Sequence, residues 1–154
     1  MTSFKNRLKV YRVRSSAKVP DRAHATDAGM DLFFCPEDGK SIALEPSMTC
    51  LLQTGLKIEV PAGYMLEVKN KSGIAFKKQL LTGACVVDSG YDGEIFVNLH
   101  NVGFQIQVIE PGQKIAQAIF LKVEQPELWE VEEDNIYESE TARGDGCLGS
   151  TGDS

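Results

Sequence analysis

The chain has 154 residues, of which 42% are hydrophobic and 25% are charged, values typical of one soluble globular domain. This composition excludes a disordered or fibrous chain. No stretch approaches the ~20 apolar residues of a membrane span, and the N-terminal stretch lacks the apolar centre of a secretory signal. We therefore expect a soluble, cytoplasmic protein with no membrane partner. The net charge of −6 argues against nucleic acid as a partner.

The charge and the cysteines are distributed unevenly along the chain. Residues 124–140 contain eight acidic residues and no Lys or Arg, so the net negative charge belongs to that segment. Four cysteines are widely spaced and only two histidines accompany them, which predicts neither a zinc site nor a disulfide framework. The four are Cys35, Cys50, Cys85 and Cys147.

Apolar and polar residues alternate along most of the chain, as is typical of β-strands. In chain order, this pattern predicts strands at 8–13, 30–34, 56–60, 64–68, 94–99 and 115–123. One short helix is predicted at about 73–80, with Ser72 as its N-cap. Seven basic residues precede position 23, and we expect them to form the solvated face of an edge strand. The fold class is all-β, a jelly-roll-like sandwich or barrel.

The C-terminal part of the sequence differs from the rest. From residue 132 the chain is acidic, and from residue 143 it reads RGDGCLGSTGDS. Such a stretch cannot bury much apolar surface. We therefore predict a β jelly-roll core at 1–131 and an acidic, then glycine-rich, C-terminal arm at 132–154. This tail should be mobile by itself and become ordered when a ligand meets its backbone amides.

A possible catalytic unit lies in VVDSGYDGEI at residues 86–95. Ser89 and Gly90 suit a two-residue hairpin loop, which would place Asp88 and Tyr91 opposite each other on one face. A carboxylate beside an aromatic ring could orient a water molecule while the ring packs on a sugar or base. The alternative is a simple polar turn.

Three further segments could bind anions or cations. In KSGIA at residues 71–75, a lysine, a hydroxyl and free amides at a helix start suit a phosphate, although the same residues also make an ordinary cap. In ATDAGMDL at residues 25–32, Asp27 and Asp31 could hold a cation or cap a turn. Gln117 is a polar residue within an apolar strand, where it would face solvent or bind backbone.

The tail RGDGCLGSTG at residues 143–152 has the glycines of an anion-binding loop but not the form of a P-loop. Arg143 could bind a phosphate through two N–H groups, and the hydroxyls of Ser150 and Thr151 could donate to it. A flexible extension is the alternative.

These five segments, in this order and at these spacings, resemble the five motifs of the homotrimeric deoxyuridine triphosphatases (dUTPases). The resemblance extends from residue 25 to residue 152. It implies a jelly-roll subunit, a homotrimer with active sites shared between subunits, and Mg²⁺-assisted hydrolysis of dUTP to dUMP and pyrophosphate. It also implies in-line attack of water on the α-phosphorus.

The resemblance also implies a role for individual residues. Asp88 matches the general base, and Tyr91 matches the ring that packs on deoxyribose and leaves no room for a 2′-hydroxyl. Asp31 matches a carboxylate that reaches the metal through water. The remaining positions match substrate contacts. Backbone groups around Gly83 and Val87 match those that bind uracil, and the matches to phosphate contacts are Lys71, Ser72, Gly73 and Gln117. The matches to the tail that closes over the substrate are Arg143, Leu148, Gly149, Ser150 and Thr151.

The chain departs from the family pattern at several positions. Lys71 replaces an arginine, which keeps the charge but loses the planar fork. Gln113 and Lys114 replace an Asp-Arg pair, and Cys85 replaces a glycine. Leu148 replaces the phenylalanine that stacks on the base, so lid closure should be weaker.

Two rival functions remain open. A dCTP deaminase would have a similar fold and similar phosphate motifs, but it would need a deamination site centred on a glutamate. A nucleotide-gated regulatory protein, whose conformation a partner reads, is the other alternative.

Overall fold

The computed structural model describes residues 7–139. The chain divides into two compact units, Met1–Glu124 and Gln125–Ser154. Within the described residues, eleven strands and the helix α1 (Ser72–Lys78) belong to the first unit, and the second contains one 3-10 turn at Glu133–Asn135. The division predicted at residue 132 stays a prediction. No helix in this part of the chain is long and apolar enough to cross a membrane.

The strands are short, and most follow the predicted alternation. In chain order they are β1 (Val10–Arg12), β2 (Gly29–Phe33), β3 (Ile42–Leu44), β4 (Thr49–Gln53), β5 (Leu56–Ile58), β6 (Tyr64–Lys69), β7 (Leu80–Thr82), β8 (Val86–Val87), β9 (Phe96–Asn101), β10 (Gln107–Ile109) and β11 (Lys114–Lys122).

All the named strands pair antiparallel. One sheet has the order β2-β11-β6-β8 and another the order β4-β9-β7, and two further pairs are β1-β5 and β10-β3. The inward side chains of these sheets form a main apolar core, which includes the fully buried Leu32, Leu66, Val97 and Leu99, and a smaller second cluster lies around Leu56. This arrangement confirms the prediction of an all-β, jelly-roll-like fold with one short helix.

The alternation at residues 56–68 explains why this segment forms two strands. Leu56 and Ile58 are buried while Lys57 between them is exposed, and Leu66 and Val68 are buried in the next strand. Burial of every second side chain removes apolar area from water on one face only. β5 and β6 nevertheless pair with different partners, β1 and β11, so the turn between them joins two sheets.

The helix start differs from the prediction. α1 begins at Ser72, and Lys71 is the N-cap, in an extended conformation and with no side-chain cap hydrogen bond. The Lys71 carbonyl accepts from the N–H groups of Ile74 and Ala75, which places Ser72 inside the first turn. The prediction of Ser72 as the N-cap was therefore wrong. The helix ends where Gln79 adopts a left-handed conformation with φ of 52°.

The hairpin predicted around Ser89 and Gly90 is only partly present. A turn forms, with the Tyr91 N–H 3.3 Å from the Asp88 carbonyl oxygen and Gly90 at φ of 89°. The flanking strands do not pair with each other, because β8 pairs with β6 whereas β9 pairs with β4 and β7. The turn thus lies at the tip of a loop between two sheets.

One of the basic residues near the N-terminus is not solvated as predicted. Arg14 lies after β1 with its side chain only 17% exposed, in an ion pair with Glu94. The other basic residues of this stretch within the described chain are exposed, as expected: Arg7, Lys9, Arg12, Lys18 and Arg22.

Candidate active site

Three strands bring predicted site residues from distant parts of the sequence into neighbouring positions. In the β2-β11-β6 sheet, Gln117 of β11 lies opposite Asp31 of β2 on one side and opposite Lys69 of β6 on the other. β6 then leads directly to Lys71 and the start of α1. The sheet therefore collects three of the predicted motifs at one end.

The carboxylate of Asp31 is the electrostatic centre of this end of the sheet. Its side chain is 6% exposed, Oδ1 accepts from Lys71 Nζ, and Oδ2 lies 2.6 Å from Lys114 Nζ. Burial would raise the pKa of Asp31, but the hydrogen bonds from Lys114 and Lys71 outweigh it and hold this pKa below its ordinary value. Two ammonium groups thus share one ionised carboxylate, and we call these three residues the lysine cluster.

Gln117 has a fixed position beside the lysine cluster. Its Nε2 donates to the backbone carbonyl of Asn70, at 2.9 Å, in the segment that joins β6 to α1. The Gln117 side chain lies directly over Gly29, where any Cβ would collide with the amide group. This close approach explains the glycine of the ATDAGMDL motif. Gln117 binds backbone, one of the two outcomes that sequence analysis left open.

The other predicted phosphate contacts lie at the start of α1. Ser72 and Gly73 are exposed, so the hydroxyl and the first amides of the helix are accessible to a ligand. Asp27 does not join this group, because its Oδ2 accepts from the His24 N–H at 2.9 Å and closes a turn. Of the two aspartates in the ATDAGMDL motif, Asp27 therefore caps the turn, and Asp31 binds the lysines.

Asp88 and Tyr91 line the same cavity, although they are not a hairpin pair. The cavity has a volume of about 270 Å³, near the lower end of the range for small-molecule sites. Its walls also include Val87, Cys85 and Phe96. Asp88 is exposed and Tyr91 is 46% exposed, so a carboxylate and an aromatic ring face a largely apolar depression that is open to solvent.

Gly83 lies where the chain approaches this cavity. Its N–H donates to the Asn98 carbonyl at 3.0 Å, and a Cβ at Gly83 would collide with Asn98 Oδ1 and His100 Nε2. Asn98 Oδ1 also accepts from the Ala84 N–H, at 3.2 Å. The backbone before Val87 is therefore held by the strand β9.

Within one chain, Asp88 and the lysine cluster lie at different levels of the same sheet. Leu66 pairs with Val87, and because the strands are antiparallel, Asp88 continues toward the start of β6 while Lys69 marks its end. Four residues at about 3.3 Å each separate the two levels by roughly 13 Å. The strand register thus separates Asp88 from the end of β6 that leads to the lysine cluster.

Sequence analysis missed several residues of these sites. Lys114 appeared only as a departure from the family pattern, yet it binds Asp31 directly. Glu94 and Arg14 form an ion pair across 80 positions, and no sequence signal connects them. Asn70 accepts from both the N–H and the hydroxyl of Thr82, and so fixes the segment before α1.

The described residues show no preformed cluster of metal-ligating side chains. They contain no group of three or more His, Cys, Asp or Glu side chains that could hold a metal ion. The predicted metal contact, Asp31, already has a lysine on each carboxylate oxygen.

The predicted contacts of the closing tail lie outside the described residues. They are Arg143, Leu148, Gly149, Ser150 and Thr151.

The fold, the cavity and the lysine cluster define a jelly-roll β protein with cationic groups suited to an anionic ligand. The dUTPase family model matches residues 15–152 of the chain. The deoxyuridine 5′-triphosphate nucleotidohydrolase of Brucella melitensis biotype 2 is 41% identical over 136 residues, which cover 87% of this chain and 84% of the relative. The chain belongs to the dUTPase family.

Two solved structures show the same fold. A mutant dUTPase of Staphylococcus bacteriophage 80alpha, solved with dUpNHpp, has 27% sequence identity and a TM-score of 0.81, and the match covers 96% of this chain and 99% of that one. A mutant dUTPase from phage phi11 of S. aureus has 28% identity and a TM-score of 0.75, with 87% and 100% covered. That phi11 structure shows the coordination of a structural Mg(II) ion.

Proposed function

We propose that this protein is a dUTP diphosphatase, which hydrolyses dUTP to dUMP and pyrophosphate. The observation that carries the proposal is the cavity lined by both Asp88 and Tyr91, in a chain of the dUTPase family. An exposed carboxylate at the rim of an apolar depression can take a proton from water beside a bound nucleotide. In this proposal Asp88 is the general base, and the water it orients attacks the α-phosphorus in line.

Tyr91 gives the proposed site its selectivity for deoxyribose. Its ring forms part of the cavity wall, and its hydroxyl donates to the Glu94 carbonyl at 2.8 Å, which fixes the orientation of the ring. A fixed ring in contact with the C2′ position of the sugar would exclude the 2′-hydroxyl of UTP. The backbone around Gly83 and Val87 would read uracil, because backbone donors and acceptors have a set pattern.

The triphosphate would lie against the lysine cluster and the start of α1. Lys71, Ser72, Gly73 and Gln117 are the proposed contacts, and Lys114 adds a second ammonium group to this site. Cations placed where negative charge develops stabilise the transition state of phosphoryl transfer. The segment from residue 143 onward, including Arg143, would close over the triphosphate.

Mg²⁺ is proposed as a cofactor that arrives with the triphosphate. When bound, it would neutralise part of the phosphate charge. Asp31 would contact a water molecule bound to Mg²⁺ and not the ion itself, since both carboxylate oxygens already accept from lysines. No step assigned above to Asp88 or Tyr91 depends on the position of the metal.

We further propose that the protein is a homotrimer whose active sites combine residues of different subunits. The separation of roughly 13 Å along β6 between the levels of Asp88 and Lys69 supports this, because a base at one level and phosphate contacts beyond the other would suit a site shared between chains. A neighbouring copy can supply the missing half. Mixing two inactive variants tests this directly.

The mixing experiment uses Asp88→Asn and Ser72→Ala, each purified as an assembled protein. After unfolding and refolding of a one-to-one mixture, shared sites built from two chains should regain both residues in about a quarter of cases. Recovered dUTP hydrolysis supports a shared site, and a mixture no more active than its components contradicts it. Light scattering on the wild-type protein checks the number of subunits.

Pyrophosphate release from dUTP tests the activity itself, with dCTP and UTP as controls. We expect Asp88→Asn to bind dUTP but to lose turnover by on the order of 10² or more. The matched control is Asp92→Asn, an exposed aspartate in the same loop, which should retain turnover. Ammonia release from dCTP would favour the deaminase alternative, and unchanged turnover in Asp88→Asn would contradict the role of the base.

A further inference from the structure

The carboxylate of Glu94 lies between two distant segments of the chain. Arg14 donates to it through both terminal nitrogens, with Nη1 3.2 Å from Oε2 and Nη2 in contact with Oε1. The Gly55 N–H donates to the same Oε1 at 2.7 Å. The side chains of Arg14 and Glu94 are only 17% and 14% exposed, so solvent screens their interaction weakly.

Arg14 is itself held in place. Its Nε donates to the Cys35 carbonyl at 3.1 Å, and the neighbouring Val13 N–H donates to the Gly55 carbonyl at 2.8 Å. A guanidinium group that binds a carboxylate through two N–H groups restricts both the distance and the orientation of its partner. The position of Glu94 is therefore set by residues outside its own loop.

The backbone of Glu94 in turn holds Tyr91. The Tyr91 hydroxyl donates to the Glu94 carbonyl oxygen at 2.8 Å. The tyrosine ring also lies close over Gly93, where a Cβ would collide with the ring carbon that bears the hydroxyl. Glu94 thus links Arg14, bound at its carboxylate, to the ring bound at its backbone carbonyl, and that ring lines the cavity with Asp88.

We propose that Arg14 and Glu94 are positioning residues, which fix the Tyr91 ring and thereby determine the discrimination between dUTP and UTP. The inference rests on the proposed function, because it assigns a cause to the sugar selectivity of that site. Neither residue needs to touch the nucleotide. A ring that moves away from the sugar by a fraction of an ångström would leave room for a 2′-hydroxyl.

The first measurement is the ratio of kcat/KM for dUTP to kcat/KM for UTP. We expect Arg14→Ala and Glu94→Gln to lower this ratio on the order of tenfold, because small displacements of a positioning group have large kinetic effects. Arg14→Lys should give an intermediate ratio, since lysine keeps the charge but loses the two parallel N–H groups. The control is Lys122→Ala, which breaks an exposed ion pair with Glu124 and should leave the ratio unchanged.

A double-mutant cycle separates positioning from simple loss of stability. Tyr91→Phe removes the hydroxyl, so adding Arg14→Ala to that variant should have little further effect on the ratio. Both variants are assayed below their melting temperatures. If Arg14→Ala lowers the melting temperature but not the ratio, or lowers the ratio equally in the Tyr91→Phe background, the positioning role is wrong.

Amide hydrogen exchange provides a readout that does not need activity. In the nucleotide-free protein, Arg14→Ala should increase exchange in the peptide that contains residues 88–94, while Lys122→Ala should not. Unchanged exchange would contradict the inference even if the protein hydrolyses dUTP. If the wild-type protein fails to hydrolyse dUTP, the proposed function is wrong, and so is the role of Arg14 in the discrimination between dUTP and UTP. The hydrogen-exchange measurement would still show whether Arg14 holds the loop at residues 88–94.

Discussion

Replacing Asp31 by asparagine should destabilise the protein even without nucleotide or metal. The carboxylate is 6% exposed and accepts from Lys71 and Lys114, so the variant loses an ionised acceptor while both ammonium groups remain. The amide oxygen of asparagine can accept from only part of this arrangement and carries no charge. The substitution keeps the size of the side chain, which limits other effects on packing.

The expected loss follows from the exposure of the two lysines. Lys71 is 28% exposed, and a hydrogen bond between charged groups contributes about 1.5–3 kcal/mol. Lys114 is 49% exposed, so screening by water makes its contribution small. We expect the free energy of unfolding to fall by about 2 kcal/mol, which lowers Tm by roughly 4–8 °C for a chain of this size.

The pH dependence has a definite sign. The pKa of Asp31 in the folded protein is lowered, so the carboxylate stabilises the fold above its unfolded pKa of about 3.9. This contribution is lost as the pH falls through the folded pKa, where the wild-type side chain also becomes neutral. The difference in stability between wild type and Asp31→Asn should therefore be full at pH 7 and should shrink below about pH 4.

The assay is thermal or urea unfolding at pH 7 and at a series of lower pH values. It is performed without nucleotide, once with EDTA and once with Mg²⁺, and at one protein concentration, because assembly into the proposed trimer would make Tm depend on concentration. Asp92→Asn, at an exposed position, is the control. Equal stability of Asp31→Asn and wild type at pH 7 would refute the reasoning, and a loss that appears only when Mg²⁺ is present would assign Asp31 to the metal instead.

Three further substitutions test other parts of the structure. Gly29→Ala should displace the Gln117 amide and raise KM for dUTP, and an unchanged KM would contradict the role of Gln117. The free energy of unfolding should fall by only about 1 kcal/mol or less, because the colliding group is the end of a flexible side chain. Gly83→Ala should lower the free energy of unfolding in urea by about 1–3 kcal/mol, because Asn98 is anchored by other hydrogen bonds and cannot move freely. An unchanged free energy would show that β9 accommodates the added methyl group and would contradict this prediction. Asn101→Ala should lower the free energy of unfolding by about 3 kcal/mol, since this buried side chain donates to two carbonyl oxygens and accepts from one N–H. A decrease of less than about 1 kcal/mol would contradict the importance of these three hydrogen bonds.

The strands β6 and β11 were predictable because their pattern is local. In β6 and β11, alternate residues such as Leu66 and Ala118 are buried, and this period of two is visible in the sequence. The three-residue strands β1 and β5 lie within longer alternating stretches and were predicted, whereas β3, β7 and the five-residue β4 have no such stretch around them and were not. The pairing of β8 with β6 was also missed, because a short strand beside a polar turn has several possible partners.

The candidate site also has features that were predictable from the sequence and features that only the structure revealed. The sequence by itself determined the residue types, the order of the five candidate segments and the all-β class, since these depend on local patterns and on resemblance. Only the tertiary structure decided that Asp31 binds two lysines and that the largely buried Arg14 pairs with Glu94. These are contacts between residues far apart in sequence, and their strength depends on burial and register, which no short stretch of sequence contains.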